Sequence, residues 1–264
     1  MSAPLRLTAA TATGHLSVLR WGAGEPIVLL HPLALAGELW TPIAARLTGG
    51  AVYAPDLRGH GHSSWDGRPF SIADMATDLA HALDSLGLSS VHLLGMSMGG
   101  SVGLTFAGTH PERVRSLVLA DTTAWYGPDA VATWEQRAVK AKETPRAEQL
   151  PFQRDRWFSP DWAREHADEV RRVCDIFLRT DSAAHAASSL AMGAMDSREL
   201  LPKITAPTLV LVGEHDYATP PDMARVLADT IPGATLRVLP DLRHMSLIER
   251  PELAEVIRKH MEVR

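Results

Sequence analysis

The segment Val91-His92-Leu93-Leu94-Gly95-Met96-Ser97-Met98-Gly99-Gly100 constrains this chain more than any other. An apolar run ends in Gly-x-Ser-x-Gly, and a small-residue helical pattern succeeds it through Ser101, Gly103 and Ala107. The apolar run predicts a buried strand, and the small-residue pattern predicts a helix. Ser97 then stands on the sharp turn between them with its hydroxyl exposed. The flanking glycines remove Cβ atoms that would collide in that turn. The helix start aims backbone N–H groups and a partial positive charge at any oxyanion formed beside the serine. The stretch predicts a serine hydrolase with Ser97 as nucleophile. The competing reading is a glycine-rich turn that carries a surface serine.

Short apolar runs alternate with longer helical patterns elsewhere. Strands are predicted over residues 16–21, 27–30, 51–54, 91–94, 114–120, 208–212 and 235–239. Helices are predicted over 38–47, 72–86, 98–109, 221–230 and 251–261. This alternation predicts an α/β fold, a mostly parallel sheet with helices on both faces. Ser71 reads as an N-cap, with Asp74 three residues on completing an approximate capping box. The rhythm breaks between about residue 124 and residue 202. That stretch holds four of the seven tryptophans (Trp125, Trp134, Trp157, Trp162) and no convincing strand. It reads as an inserted helical cap, residues 125–202, over a core made of residues 1–124 and 203–264. An ordinary run of packing helices is the alternative. The C-terminal edge of the sheet, where open α/β sheets bind ligands, is the expected place for a cap.

With 264 residues the chain suffices for one large α/β domain plus an insertion. A net charge of −5 without a basic cluster gives no sign of nucleic-acid binding. The single cysteine, Cys174, excludes an intramolecular disulfide framework and fits a reducing cytoplasm. Residues 1–13 lack the basic start and apolar core of a signal peptide. No stretch reaches the 18 or so apolar residues of a membrane span. The expected partner is a small molecule, with no nucleic acid and no membrane, in a cytoplasmic protein.

A serine is a poor nucleophile at its own pKa. It needs a neutral base, and a third group to orient that base. In a nucleophile elbow the expected chain order is serine, acid, histidine. Downstream, a predicted strand ends in Gly213-Glu214-His215-Asp216, and Asp216 sits just past its end. Another runs into Pro240-Asp241-Leu242-Arg243-His244, which puts His244 in a loop before the last helix. Asp216 and His244 are the candidate acid and base. Asp121, after the 114–120 strand, is the alternative acid, and Glu214 and His215 read as scaffold. The oxyanion donors should be the N–H of Met98 and one from His31-Pro32-Leu33-Ala34. Leu33 is the candidate there, because Pro32 has no N–H. A plain turn is the other reading of that loop. His110 and His260 fall at predicted helix ends. His60-Gly61-His62 looks metal-like but lacks a third ligand at matching spacing, so no metal site and no cofactor is expected. Arg58, in the same glycine-rich loop, has either carbonyls or a carboxylate to bind.

Several stretches together resemble the α/β-hydrolases. They are His31-Pro32, Asp56-x-Arg58-Gly59-His60-Gly61-x-Ser63, Gly95-Met96-Ser97-Met98-Gly99-Gly100, Gly213-Glu214-His215-Asp216, and His244 before Ile248-Glu249-Arg250-Pro251. Within that superfamily the chain is most similar to the 3-oxoadipate enol-lactonases. Trp134-Glu135-Gln136-Arg137 resembles that family's Trp-x-x-Arg, and Arg156-Trp157-Phe158-Ser159-Pro160 its Arg-Trp-Phe-Thr/Ser. Ala194-Met195-Asp196-Ser197-Arg198 resembles its Ala-x-x-x-Asp-Leu-Arg segment. The chain departs from it at the oxyanion loop, where the family often carries Asn-Ser-Leu-Gly. It also departs at Ala183-Ala184-His185, where the family has Gly-Tyr.

The resemblance implies lactone ring opening through an acyl-enzyme on Ser97, with His244 as base, Asp216 as its orienting acid, and Leu33 and Met98 at the oxyanion. It also implies a carboxylate on the substrate. Arg137 is a candidate partner for that carboxylate, because a guanidinium pairs with it bidentately; a cap-surface arginine is the alternative. Trp134 and Trp157 either wall the pocket or simply pack the cap. A carboxylesterase, or a hydrolase of another lactone or lactam, would use the same triad. A serine at the elbow argues against a haloalkane dehalogenase. A non-catalytic receptor on this scaffold would not need all three of Ser97, Asp216 and His244.

Overall fold

The computed structural model describes residues 3–47 and 49–262. Eight strands form one sheet: β1 (Leu5–Thr11), β2 (Gly14–Gly22), β3 (Glu25–Leu30), β4 (Gly50–Pro55), β5 (Val91–Met96), β6 (Val114–Ala120), β7 (Thr208–Gly213) and β8 (Thr235–Leu239). Their spatial order is β1-β2-β4-β3-β5-β6-β7-β8. β1 pairs with β2, and β2 with β4, antiparallel; every other pairing is parallel.

The central strands are buried along their whole length, as in a sheet covered on both faces. Successive side chains divide between two apolar cores. Val28, Leu30, Leu93, Leu117 and Leu119 join one, with the helices Ile72–Ser85, Met98–Thr109 and Pro221–Thr230. Leu29, Leu94, Met96, Val118 and Ala120 join the other, with Ile43, Phe177 and Ile257. Full burial of each leucine is worth roughly 1.5–3 kcal/mol, so this alternation ties both helical layers to the sheet.

All seven strands expected from the sequence are present, and β1 is additional. β1 is an edge strand of mostly exposed residues, including Leu5, so it shows no apolar run. The helix expected over 38–47 is instead a 3-10 turn, Gly37–Trp40, followed by one α turn, Thr41–Ala44. Pro42 explains the break: it cannot donate to the Glu38 carbonyl, which accepts instead from the Thr41 N–H and hydroxyl. The Ser71/Asp74 capping box forms in both directions, at 3.1 and 2.7 Å.

Between β6 and β7 the chain runs through the helices Ala130–Glu143, Arg146–Trp157, Pro160–Glu165, Ala167–Arg179 and Ser182–Gly193. Among the described residues this stretch adds no strand to the sheet, only an isolated bridge between Trp125 and Asp196. No helix of the described residues is long and apolar enough to cross a membrane.

Candidate active site

Ser97 occupies the turn between β5 and the Met98–Thr109 helix at φ 55° and ψ −121°, a conformation disfavoured for a side-chain-bearing residue. Two glycines permit it. A Cβ on Gly95 would strike the Gly99 carbonyl oxygen, and one on Gly99 would strike that of Leu30. The helix can therefore pack directly on β3 and β5. Ser97 N–H donates to Ala120 O at 3.0 Å, which holds the turn against the end of β6.

Ser97 Oγ lies 2.9 Å from His244 Nε2, and His244 Nδ1 lies 2.8 Å from Asp216 Oδ2. Asp216 follows β7, and His244 lies in the loop after β8, so three C-terminal strand ends deliver the three groups. Asp216 also accepts from the N–H groups of Ala218 (2.7 Å) and Thr219 (3.0 Å), and from the Thr219 hydroxyl (2.8 Å). Burial alone would raise its pKa. The His244 charge and hydrogen bond, with the Thr219 donors, outweigh that and hold the carboxyl below its ordinary range. An ionised Asp216 can only accept, so His244 Nδ1 donates and Nε2 is left to accept the serine proton. The arrangement can generate an alkoxide-like nucleophile as it attacks a carbonyl carbon.

Asp121, the alternative acid, is committed elsewhere. At φ 48° it closes the end of β6. Its carboxyl accepts from Gly213 N–H (3.0 Å), Ser246 N–H (3.1 Å) and Ser246 Oγ (2.6 Å). Burial and the neighbouring Asp216 charge push its pKa well up. It thus joins β6, β7 and the segment after His244.

The loop after β3 is braced by two histidines. His31 Nδ1 donates to Pro32 O at 2.8 Å, while its Nε2 accepts from Leu57 N–H at 2.9 Å. His60 Nδ1 donates to Arg58 O, and its Nε2 accepts from Ala34 N–H at 3.2 Å. Burial lowers their pKa values to about 4 and about 3. Ala34 is thereby held at φ 59°. Leu33 N–H has no hydrogen-bond partner among the described residues, and Met98 N–H opens its helix without an intrahelical acceptor. Leu33 lines the same cavity as Ser97, and Met98 is next to Ser97 in the chain. Arg58 binds a carboxylate, that of Asp78, through two contacts of 2.6 and 2.7 Å.

Ser97 and His244 open on a cavity of about 470 Å³, whose other walls include Trp134, Arg137, Arg156, Trp157 and His185. Trp134 and Trp157 are each buried, and the Arg137 guanidinium lies 4.5 Å from the Trp134 ring centre. Arg137 has no carboxylate partner among the described residues. Burial and repulsion from Arg156 bring its pKa to about 10, which leaves it charged at neutral pH.

Arg156 was not a sequence candidate. It is 9 % exposed, has no ion-pair partner among the described residues, and its Nε has no hydrogen bond. Burial lowers its pKa, against the raising influence of Tyr126 and Asp216. A sequence displays the arginine but not its lack of a partner, so only its place in Arg-Trp-Phe-Ser could have drawn attention to it.

The same motif anchors the His244 loop. Trp157 O accepts from Met245 N–H at 2.9 Å. Glu249 accepts from Ser159 N–H at 3.0 Å, from the Ser159 hydroxyl, and from Arg243 N–H at 3.2 Å. Among the described residues, Glu214, His215 and Asp241 bring three possible metal-ligand atoms together, all exposed and none lining the Ser97 cavity.

Comparison with known proteins agrees with this fold. Residues 25–251 match the family model described as alpha/beta hydrolase fold. The chain is 31 % identical to 3-oxoadipate enol-lactonase 2 of Acinetobacter baylyi, over 76 % of this chain and 74 % of that one. It is 34 % identical to a Variovorax paradoxus protein named as a carbamate hydrolase, RutD, over 84 % and 85 % of the two chains. The crystal structure of the enol-lactonase from Burkholderia xenovorans LB400 superposes with a TM-score of 0.92 at 30 % identity, covering 97 % of this chain and all of that one. The elbow at Ser97, the parallel sheet that carries it and these relatives lead to one assignment: the chain belongs to the α/β-hydrolase fold family.

Proposed function

We propose that this protein is a serine hydrolase that opens a lactone bearing a carboxylate, 3-oxoadipate enol-lactone being the substrate the reading favours. The observation that carries it is the joining of a Ser97–His244–Asp216 relay to a cavity with two guanidinium groups, Arg137 and Arg156, that have no carboxylate partner among the described residues. A buried cation without a partner is costly to fold, and an anionic ligand would supply the missing partner. The likeness to enol-lactonases supports the same choice.

In this mechanism Ser97 Oγ attacks the lactone carbonyl carbon and its proton passes to His244 Nε2. Asp216 holds the imidazole ring and stabilises its charge. The N–H groups of Leu33 and Met98 bind the oxyanion. Collapse breaks the ring C–O bond, and His244 returns the proton to the leaving enol oxygen. The enol, still tethered through the acyl group, tautomerises to the ketone. Water, deprotonated by His244, then cleaves the ester to Ser97 and frees the dicarboxylate. Residues 125–202 serve as the cap that excludes bulk water, with Trp134 and Trp157 as apolar walls and Arg137 and Arg156 as the carboxylate partners. The scheme requires no cofactor.

Ultraviolet absorbance of the enol-lactone, followed with wild type and Ser97→Ala beside a short p-nitrophenyl ester and a carbamate, tests the reading. It requires fast lactone turnover, slower ester turnover and an inert variant. Turnover of the ester or carbamate without the lactone would keep the Ser97 relay and reject the lactone.

A further inference from the structure

His185 lies on the Ser182–Gly193 helix and lines the Ser97 cavity, yet the relay does not use it. Its surroundings fix its chemistry. Arg146 Nη1 approaches His185 Nδ1 at 2.6 Å. A guanidinium has only donors, so Nδ1 must accept. Arg146 is itself held, stacked 3.7 Å from the centre of the Phe177 ring and donating through Nη2 to Phe177 O. Burial, then the Arg146 charge, lower the His185 pKa to about 3, so the ring is neutral. A neutral imidazole whose Nδ1 accepts must carry its hydrogen on Nε2. Nε2 has no protein partner among the described residues.

The helix that carries the ring is also anchored. Asp181 caps the helix through Ala184 N–H at 2.8 Å, and the Ser189 hydroxyl donates to His185 O at 2.9 Å. Thr180 Oγ1 donates to Ala34 O at 2.8 Å, tying the start of this helix to the loop that carries Leu33. The result is a preset N–H donor, with no lone pair free to take a proton, on a residue that lines the pocket. His185 is thus chemically distinct from His244.

We propose that His185 is a specificity-determining residue whose Nε2–H donates a hydrogen bond to an acceptor oxygen that the substrate carries beyond its scissile carbonyl. The proposal rests on the reading of the Ser97 cavity as the substrate pocket, and it narrows the substrate class to oxygen-bearing acyl groups. The test compares kcat/KM for p-nitrophenyl 4-oxopentanoate and 5-oxohexanoate with the plain pentanoate and hexanoate. The wild type should prefer at least one keto ester. His185→Ala should reduce that preference by about tenfold, the worth of one hydrogen bond, and His185→Gln, which keeps an N–H donor, should retain it. The 15N spectrum of the wild type, with the His185 signals identified by their loss in His185→Gln, should show hydrogen on Nε2 and none on Nδ1. An unchanged keto preference in His185→Ala, an equal fall for both ester types in Ala and Gln variants, or hydrogen on Nδ1 would overturn it. Keto preference without lactone turnover would reject the lactone alone; lactone turnover without keto preference would reject the role of His185 alone.

Discussion

Replacing Arg156 by methionine separates what the residue does for folding from what it does for binding. The guanidinium is 9 % exposed, lacks an ion-pair partner among the described residues, and leaves Nε unbonded. Methionine keeps an unbranched stem of similar reach and removes the buried charge. Relief of that desolvation should stabilise the free protein by about 1–3 kcal/mol, or several degrees in Tm for a chain of this size. Binding should move the other way. A charge-assisted hydrogen bond to a carboxylate is worth about 1.5–3 kcal/mol, so kcat/KM for a carboxylate-bearing lactone should fall roughly 10- to 150-fold. An uncharged p-nitrophenyl acetate should be hydrolysed within about twofold of wild type, since the Ser97 relay is untouched. Thermal unfolding with and without adipate adds a second readout: the dianion should raise the Tm of wild type more than that of the variant. A variant less stable than wild type, with charged and uncharged substrates falling together, would refute the reasoning and make Arg156 a packing residue.

The same geometry sets three further outcomes. His31, His60 and His185 have pKa values lowered to about 4, 3 and 3 by burial, so between about pH 6.5 and pH 4 the unfolded chain binds protons that the folded chain does not. Stability should fall with pH in that window by about 1.4 kcal/mol per pH unit for each histidine, and equal urea midpoints at pH 7 and pH 5 would contradict this. Ser159→Ala removes a hydroxyl that binds the buried Glu249 carboxyl behind His244; it should cost about 1–3 kcal/mol and lower kcat more than it raises KM, which steady-state kinetics and denaturant unfolding will show. Gly99→Ala drives a Cβ into the Leu30 carbonyl, so it should destabilise by about 3 kcal/mol or more; a variant with wild-type Tm and activity would show that the elbow is not tightly packed.

Most of the sheet was legible because its inner strands carry short runs of buried apolar residues, such as Ile27–Leu30 in β3, Leu117–Ala120 in β6 and Leu209–Val212 in β7, even though His92 in β5 and the exposed Arg115 in β6 interrupt the pattern. β1 was not, because its exposed edge position leaves no such run. The site was legible where chemistry depends on chain order at strand ends, and Ser97, Asp216 and His244 do meet. What stayed hidden depends on partners. Asp121 and Asp216 both follow strands, and only the hydrogen bonds show that Asp216 meets His244 while Asp121 joins β6 to β7 and Ser246. The bracing role of His31 and His60 had a usable signal, since His31 directly follows β3 and His60 lies in the loop after its parallel neighbour β4. Arg156 had only its place in Arg-Trp-Phe-Ser and the Arg146–His185 pair had no signal, because an absent carboxylate and a fixed tautomer are properties of packing rather than of residue order.

The central claim is that His244 primes Ser97 as the nucleophile. A fluorophosphonate probe combined with peptide mass mapping tests it most directly, because the serine oxygen must attack phosphorus and expel fluoride. One adduct should form, on the peptide that contains Ser97, absent in Ser97→Ala and strongly slowed in His244→Ala. A folded wild type that takes no label, or takes it on another residue, would contradict it.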